Sequence, residues 1–360
     1  MSDQAKLEQL KSCRDEIDAL DNELLRLVSR RAQLAREIGS LKDDGVIYRP
    51  EREAQVLRRL IELNGGPLSA EAVTNIFRGI MSNCRALEKE LSVAFLGPLG
   101  TFSEEAANKQ FGGLSAPMQC SSIDEVFRQV ETGQANYGVV PVENSTEGAV
   151  SRTLDLLMQT SLKICGEIEL AVHHNLLSTQ DGFAGINKIY SHAQSLAQCH
   201  EWLNKNLPNV ERESVVSNAE AAKLAFTGPN TAAIASKRAA ELFGLNILAE
   251  NIEDDPKNTT RFLVLSQHDV APSGKDKTSL VMATKNVPGA MLALLEPLSR
   301  HDVSMTKFES RPSKIGMWEY VFFMDIEGHI QDAKVKAVVA ELETRASFLK
   351  LLGSYPIALI

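Results

Sequence analysis

Cysteine is sparse and scattered: five residues, Cys13, Cys84, Cys120, Cys165 and Cys199, with no Cys-x-x-Cys among them. An odd, dispersed set argues against a disulfide scaffold and for a reducing, cytoplasmic setting. The seven histidines join no carboxylate cluster with ligand spacing, so no metal and no cofactor are expected. No apolar run approaches the roughly 20 residues that span a bilayer, which leaves no membrane role. The polar start, Met1-Ser2-Asp3-Gln4-Ala5-Lys6, has no signal-peptide pattern. Positive charge is also short: the net charge is -9, which disfavours nucleic acid as a partner. Residues 1–91 carry 15 basic and 16 acidic side chains, so nearly all the excess acidity lies downstream, a first sign of separate domains.

Proline is missing from residues 5–42, and Gly39 is the one glycine there. Leu7, Leu10, Ile17, Leu20, Leu24, Leu27, Leu34, Ile38 and Leu41 recur at helical spacing. Nearly forty residues make a helix of about 55 Å, longer than a small domain is wide. Such a stripe needs a partner along its length, most simply a second copy of the chain, so a homodimer, or something larger, is expected. Pro50 and Ser69 then open two further helices, and the segment 1–91 reads as all-helical. From Ser92 the texture changes to strands alternating with helices up to about residue 266, an α/β domain (92–267) long enough for two lobes with a cleft. Thr101 and Glu104 suggest a capping box. His268–Lys277 reads as a polar linker. The remainder, 278–356, runs strand-helix-strand-strand-helix-strand, the ferredoxin-like βαββαβ order. The fold class is thus multidomain: all-α, two-lobed α/β, and ferredoxin-like.

Two runs carry the strongest chemical signal: Asn258-Thr259-Thr260-Arg261-Phe262 and Glu309-Ser310-Arg311-Pro312. Together they resemble the catalytic and regulatory signatures of the prephenate dehydratases. That family expels hydroxide and carbon dioxide from prephenate to give phenylpyruvate, and aromatisation drives the step. Such an enzyme needs a proton donor for the leaving hydroxyl and anchors for two carboxylates. By resemblance Thr260 serves the hydroxyl and Thr259 is a substrate-binding candidate, while Arg261 is as readily a structural residue as a carboxylate anchor. Val140-Pro141-Val142-Glu143-Asn144-Ser145 and Ser191-His192-Ala193-Gln194 with Gln198 match further family runs. They put Glu143, Asn144, Ser191 and Gln198 at the cleft. A lone His192 after a strand is more often scaffold than base.

The first segment resembles the all-helical chorismate mutases, which work as interlocked dimers and convert chorismate to prephenate without a cofactor. The resemblance places Arg14 (from the partner chain), Arg31 and Arg52 on substrate carboxylates. It puts Lys42 and Glu88 at the ether oxygen of the breaking bond, and Glu53 on the ring hydroxyl. Guanidinium clamps suit a dianion, and donors aimed at the ether oxygen lower the barrier. Arg49, Cys84 and Glu88 depart from common family residues (acidic, serine and glutamine). A carboxyl group at 88 donates a hydrogen bond only when protonated.

The last segment resembles the ACT regulatory domains. Gly289-Ala290-Met291 would meet the carboxylate of L-phenylalanine through helix N–H groups, and Glu309, Ser310 and Arg311 its other end, with Trp318 either a wall of that pocket or a core residue. The combined expectation is a two-activity enzyme of phenylalanine biosynthesis under feedback by its end product. Two rivals remain: a dehydratase whose helical segment only dimerises, and a non-catalytic amino-acid sensor.

Overall fold

The computed structural model describes residues 3–41, 46–88, 90–113, 116–284, 287–312 and 320–359. Lys42 and Trp318, both singled out above, lie outside them. The helical part comprises α1 (Asp3–Leu41), α2 (Pro50–Leu63) and α3 (Ala70–Ala86). Pro50 occupies the first position of α2, with Glu51 and Glu53 at the positive end of its dipole. Ser69 caps α3 by accepting the Ala72 N–H. No residue of α1 is buried. Its stripe stands in the open, with Leu7 72%, Leu20 55%, Leu24 57% and Ile38 54% exposed.

The α/β part is two lobes. The first contains β1 (Ser92–Leu96), α4 (Phe102–Phe111), β2 (Ala116–Cys120), α5 (Ile123–Glu131), β3 (Tyr137–Asn144), β4 (Gly148–Ala149), α6 (Ser151–Gln159) and β5 (Lys163–Ala171). The second contains β6 (Asn175–Ser178), β7 (Lys188–His192), α7 (Ala193–Gln198), α8 (His200–Asn206), β8 (Glu211–Val215), α9 (Asn218–Thr227), β9 (Thr231–Ala235), α10 (Lys237–Phe243) and β10 (Asn246–Ala249). The chain then returns to the first lobe as β11 (Thr259–Ser266). The sheet orders are β2-β1-β3-β11-β5, with β4 beside β3, and β10-β6-β9-β7-β8. In the second lobe the small residues Ala221, Ala222, Ala225, Ala232, Ala233 and Ala235 are fully buried, which lets α9 lie close on its sheet. Two crossings join the lobes side by side: Val172 N–H donates to Asn258 O, and Ile252 N–H to His174 O, both at 2.8 Å.

The last part contains β12 (Asp276–Ala283), α11 (Ala290–Arg300), β13 (Met305–Pro312), β14 (Tyr320–Glu327), α12 (Ala333–Arg345) and β15 (Phe348–Pro356). Its antiparallel order, β13-β14-β12-β15, is the ferredoxin-like sheet. The segment read as a linker is packed instead. Val270 is buried, its carbonyl bonds His329 Nε2 at 2.9 Å, and Arg58 of α2 reaches Ser273 O at 3.1 Å. Composition made it look solvated, but its backbone groups find partners on all three parts. The α/β and C-terminal parts also share one core, in which Val281, Phe323, Leu352 and Tyr355 meet Val142, Leu154, Leu157 and Ile164. At Gly353 the two backbones nearly touch: a Cβ there would stand 2.2 Å from Ile164 O.

Candidate functional site

A cavity of about 800 Å³ is the cleft between the two lobes. Its chemical centre is a short network on β3 and β11. Asn144 Oδ1 accepts the N–H groups of Thr146 (3.0 Å) and Glu147 (3.2 Å). That fixes the amide orientation, because Oδ1 is the acceptor end. Nδ2 therefore donates to Thr260 Oγ1 and to Asn258 Oδ1, each at 2.9 Å. A hydroxyl that accepts from an amide keeps its own proton for another acceptor. Thr260 and Asn144 both line the cleft.

Around this pair the cleft mixes apolar side chains with several polar ones. His174 is 1% exposed, and its Nε2 lies 2.9 Å from Gln198 Oε1. His174 Nδ1 and Gln198 Nε2 are buried in the cleft wall without a protein hydrogen-bond partner. Burial lowers the pKa of His174 below the ordinary histidine value, with Gln198 and Glu253 opposing. The first turns of α4 and α9 also face the cleft, at Phe102 and Ser103 and at Asn218 and Ala219. First-turn N–H groups have no intrahelical partner, and the helix dipole makes them anion sites. Thr101 and Ser217 cap these helices by accepting from Glu104 N and Glu220 N. Glu104 reaches back to Gly100 N–H rather than to Thr101, so the expected box is closed one residue early. Lys223 adds a cation to the same wall.

A second cavity, about 520 Å³, lies among the three N-terminal helices. It is lined by Arg31, Arg49, Arg52, Glu53, Cys84 and Glu88, with apolar Leu34, Ile38, Val56 and Met81. Glu53 is 6% exposed and held by Arg85 and, at 3.6 Å, by Arg78. Arg85 lines the cavity too, and its Nε and Nη2 are buried without a protein partner. Glu88 lies over Gly39, where a Cβ would come within 2.8 Å of its Cγ.

Residues 13–89 match the family model of type II chorismate mutase, 93–270 that of prephenate dehydratase and 278–344 the ACT domain. A Neisseria gonorrhoeae protein named bifunctional chorismate mutase/prephenate dehydratase is 55% identical over 350 residues, 96% of this chain and 97% of that one. One of the same name from Pseudomonas aeruginosa is 49% identical over 370 residues, the whole of both chains. The chain belongs to the bifunctional chorismate mutase/prephenate dehydratase family. Among solved structures, an Arthrobacter aurescens prephenate dehydratase in complex with L-Phe superimposes with a TM-score of 0.68 at 32% identity, covering 74% of this chain and 90% of that one. The enzyme is therefore both a chorismate mutase and a prephenate dehydratase.

With the family assigned, the residues singled out by sequence sort by place. Thr260, Asn144, Gln198 and His192 line the dehydratase cleft. Ser191 is fully buried one step behind it, its single hydroxyl proton shared between Ile234 O and Asn218 Oδ1, both at 3.0 Å. Thr259 turns to Lys257 O at 3.2 Å. Glu143 and Arg261 point to the C-terminal domain: Glu143 meets Lys307 at 2.6 Å, and Arg261 meets Asp325 at 2.7 Å. Arg14 lies far along α1 from the mutase cavity, which Arg31 lines. Gly289, at φ +81°, precedes α11, where Ala290 and Met291 form the first turn. Glu309, Ser310 and Arg311 lie on edge strand β13, and Arg311 pairs with Asp155 at 3.4 Å. Sequence reasoning missed His174, Asn218, Lys223 and Arg85. The first is half of a His-His pair that has no metal-type spacing, and the others sit at a helix start, mid-helix or in a last helical turn, in unremarkable runs.

Proposed function

We propose that prephenate lies in the interlobe cleft with its leaving hydroxyl against Thr260. Its two carboxylates are received by the N-terminal turns of α4 and α9, with Lys223 and Gln198 Nε2 as further donors. The electron pair of the breaking bond to the carboxylate moves into the ring as carbon dioxide leaves. The ring expels its hydroxyl, which takes the Thr260 proton and departs as water. A threonine is a weak acid, so its proton must be replaced through the bound water network rather than held as a standing charge. His174, kept neutral by burial, orients Gln198 instead of supplying a proton.

In the helical cavity Arg31 and Arg52, with Arg14 from a second copy, hold the chorismate carboxylates. Lys42 and protonated Glu88 address the ether oxygen, and Glu53, braced by Arg85, the ring hydroxyl. The open stripe of α1 supports a homodimer through that helix. L-Phenylalanine, as effector, binds the C-terminal domain at Gly289, Ala290 and Met291 and at Glu309, Ser310 and Arg311. The relative solved with L-Phe supports that reading.

The observation that carries the dehydratase reading is the orientation of Asn144, which leaves the Thr260 proton to the cleft. A coupled assay tests it. Chorismate supplied to the full chain should give prephenate and then phenylpyruvate, and Thr260→Ala should stop at prephenate. Phenylpyruvate formed by that variant at the wild-type rate would remove Thr260 from the mechanism.

A further inference from the structure

Strands β3 and β11 pair so that Thr260 stands opposite Asn144 and Arg261 opposite Glu143. Successive residues of a strand point to opposite faces, so one rung serves the cleft and the next faces away. The rung facing away is gripped by the C-terminal domain. Lys307 Nζ on β13 lies 2.6 Å from Glu143 Oε2, and Asp325 Oδ2 on β14 lies 2.7 Å from Arg261 Nη1. Lys307 and Asp325 are themselves opposite one another in the C-terminal sheet. Two neighbours of opposite charge on one sheet thus clamp two on the other.

The clamp is built into a connected setting, buried on its Arg261 side, while the Glu143 side chain is 37% exposed. Arg261 Nε also donates to Glu167 at 2.8 Å, and its Nη2 to Tyr355 Oη at 3.0 Å. Lys277 reaches both oxygens of Glu167 at 2.9 Å, and Ser279 Oγ donates to Asp325 Oδ1 at 2.5 Å. Three cations, Arg261, Lys277 and Lys307, balance three carboxylates, Glu143, Glu167 and Asp325. The cationic side chains are only 12% exposed. Charge-assisted bonds in such surroundings are short and geometrically demanding, so they fix position rather than merely join domains.

We propose that Lys307 and Asp325 are positioning residues for the dehydration: by clamping Glu143 and Arg261 they hold the adjoining rung, Asn144 and Thr260, where the threonine proton faces the leaving hydroxyl. The inference rests on the role given to Thr260 above. It adds that residues of the regulatory domain set the rate of a reaction they do not touch. Lys307 also lies two residues before Glu309 on the same strand, so an effector that shifts β13 acts on this clamp.

Full-length Lys307→Met, Lys307→Arg and Lys307→Glu, and Lys307→Glu combined with Glu143→Lys, test it. Prephenate kcat and KM are measured beside mutase kcat in the same preparations. Displacing a reacting group by about 1 Å costs on the order of 10²-fold, and a loosened clamp should cost about 10-fold or more in dehydratase kcat. KM should stay within about twofold and mutase turnover unchanged. Lys307→Arg should keep most of the rate, and the reversed pair should recover most of what Lys307→Glu loses. Wild-type dehydratase kcat in Lys307→Met overturns the inference, as does a reversed pair no better than Lys307→Glu. If Lys307→Met fails to fold, the reversed pair decides. A fully active Thr260→Ala would instead sink the underlying reading, and the clamp with it. An inactive Thr260→Ala beside a full-rate Lys307→Met sinks the clamp alone.

Discussion

Thr260 shows how little of a residue's chemistry resides in the residue. Its hydroxyl gains direction from Asn144, whose own orientation is set by two backbone N–H groups. Thr260→Ala should lower dehydratase turnover by about 10²–10⁴ while mutase turnover stays near wild type, checked by assaying both steps separately. His174 provides a pH signature. Its folded pKa lies below the unfolded value because burial penalises the charged ring. The unfolded chain therefore takes up this proton first, and stability is full above about pH 6.5 and lost as pH falls through and below that range. Thermal unfolding of wild type between pH 7.5 and 5 should show that loss, and His174→Gln should flatten it. Equal slopes in the two proteins would exclude His174 as the source. Arg261 teaches the converse. A cation beside Thr260 reads equally as a carboxylate anchor or as a structural residue, and its guanidinium faces away from the cleft, because strand alternation decides the face and nothing in the run announces which.

Among elements, α1 was the most legible, since 3.6-residue periodicity without proline has one interpretation. What covers its stripe is not written in the stripe. Leu24→Glu should dissociate the dimer proposed above, seen by analytical ultracentrifugation, and remove mutase activity while the dehydratase survives. Mixed Arg14→Ala and Arg31→Ala chains should regain some mutase activity, since a heterodimer concentrates both defects in one site and leaves the other intact. Confirmed subunit exchange without recovery would refute a shared site. Gly39 is the quiet counterpart. Alanine is the better helix former, but Gly39 stands in the last turn of α1 and a Cβ there would collide with Glu88. Gly39→Ala should therefore raise helix stability and lower mutase kcat, a split readable by circular dichroism and kinetics together. Glu88→Gln, nearly isosteric and always a donor, should stay active.

At the scale of the whole molecule the three parts are not beads on a string. The buried ring of Tyr48, just before α2, packs against Phe111 and Tyr137 of the α/β part, and Arg85 of α3 lies over its face. On the other side, Gly353 lets β15 approach β5 at backbone distance. Phenylalanine binding should therefore be felt in the cleft, and linkage demands reciprocity: a prephenate analogue must weaken phenylalanine binding by the factor that phenylalanine weakens the analogue. Calorimetry that detects no phenylalanine binding to the intact enzyme would reject the effector reading.

The sequence by itself determined the element types and their order, because helical and strand periodicities, caps and breakers are local properties. It also determined the chemical kinds present: the threonine and amide proposed for the dehydration, and the guanidinium groups suited to a dianion. Only the tertiary structure decided which of these share a cavity. It turned Arg261 and Glu143 away from the cleft and toward the C-terminal sheet, put Ser191 behind Asn218, and brought His174, Lys223 and two helix N-termini into the cleft wall. The physical reason is that facing and proximity are set by strand pairing and by packing between residues far apart in the chain, and no local run of amino acids encodes those.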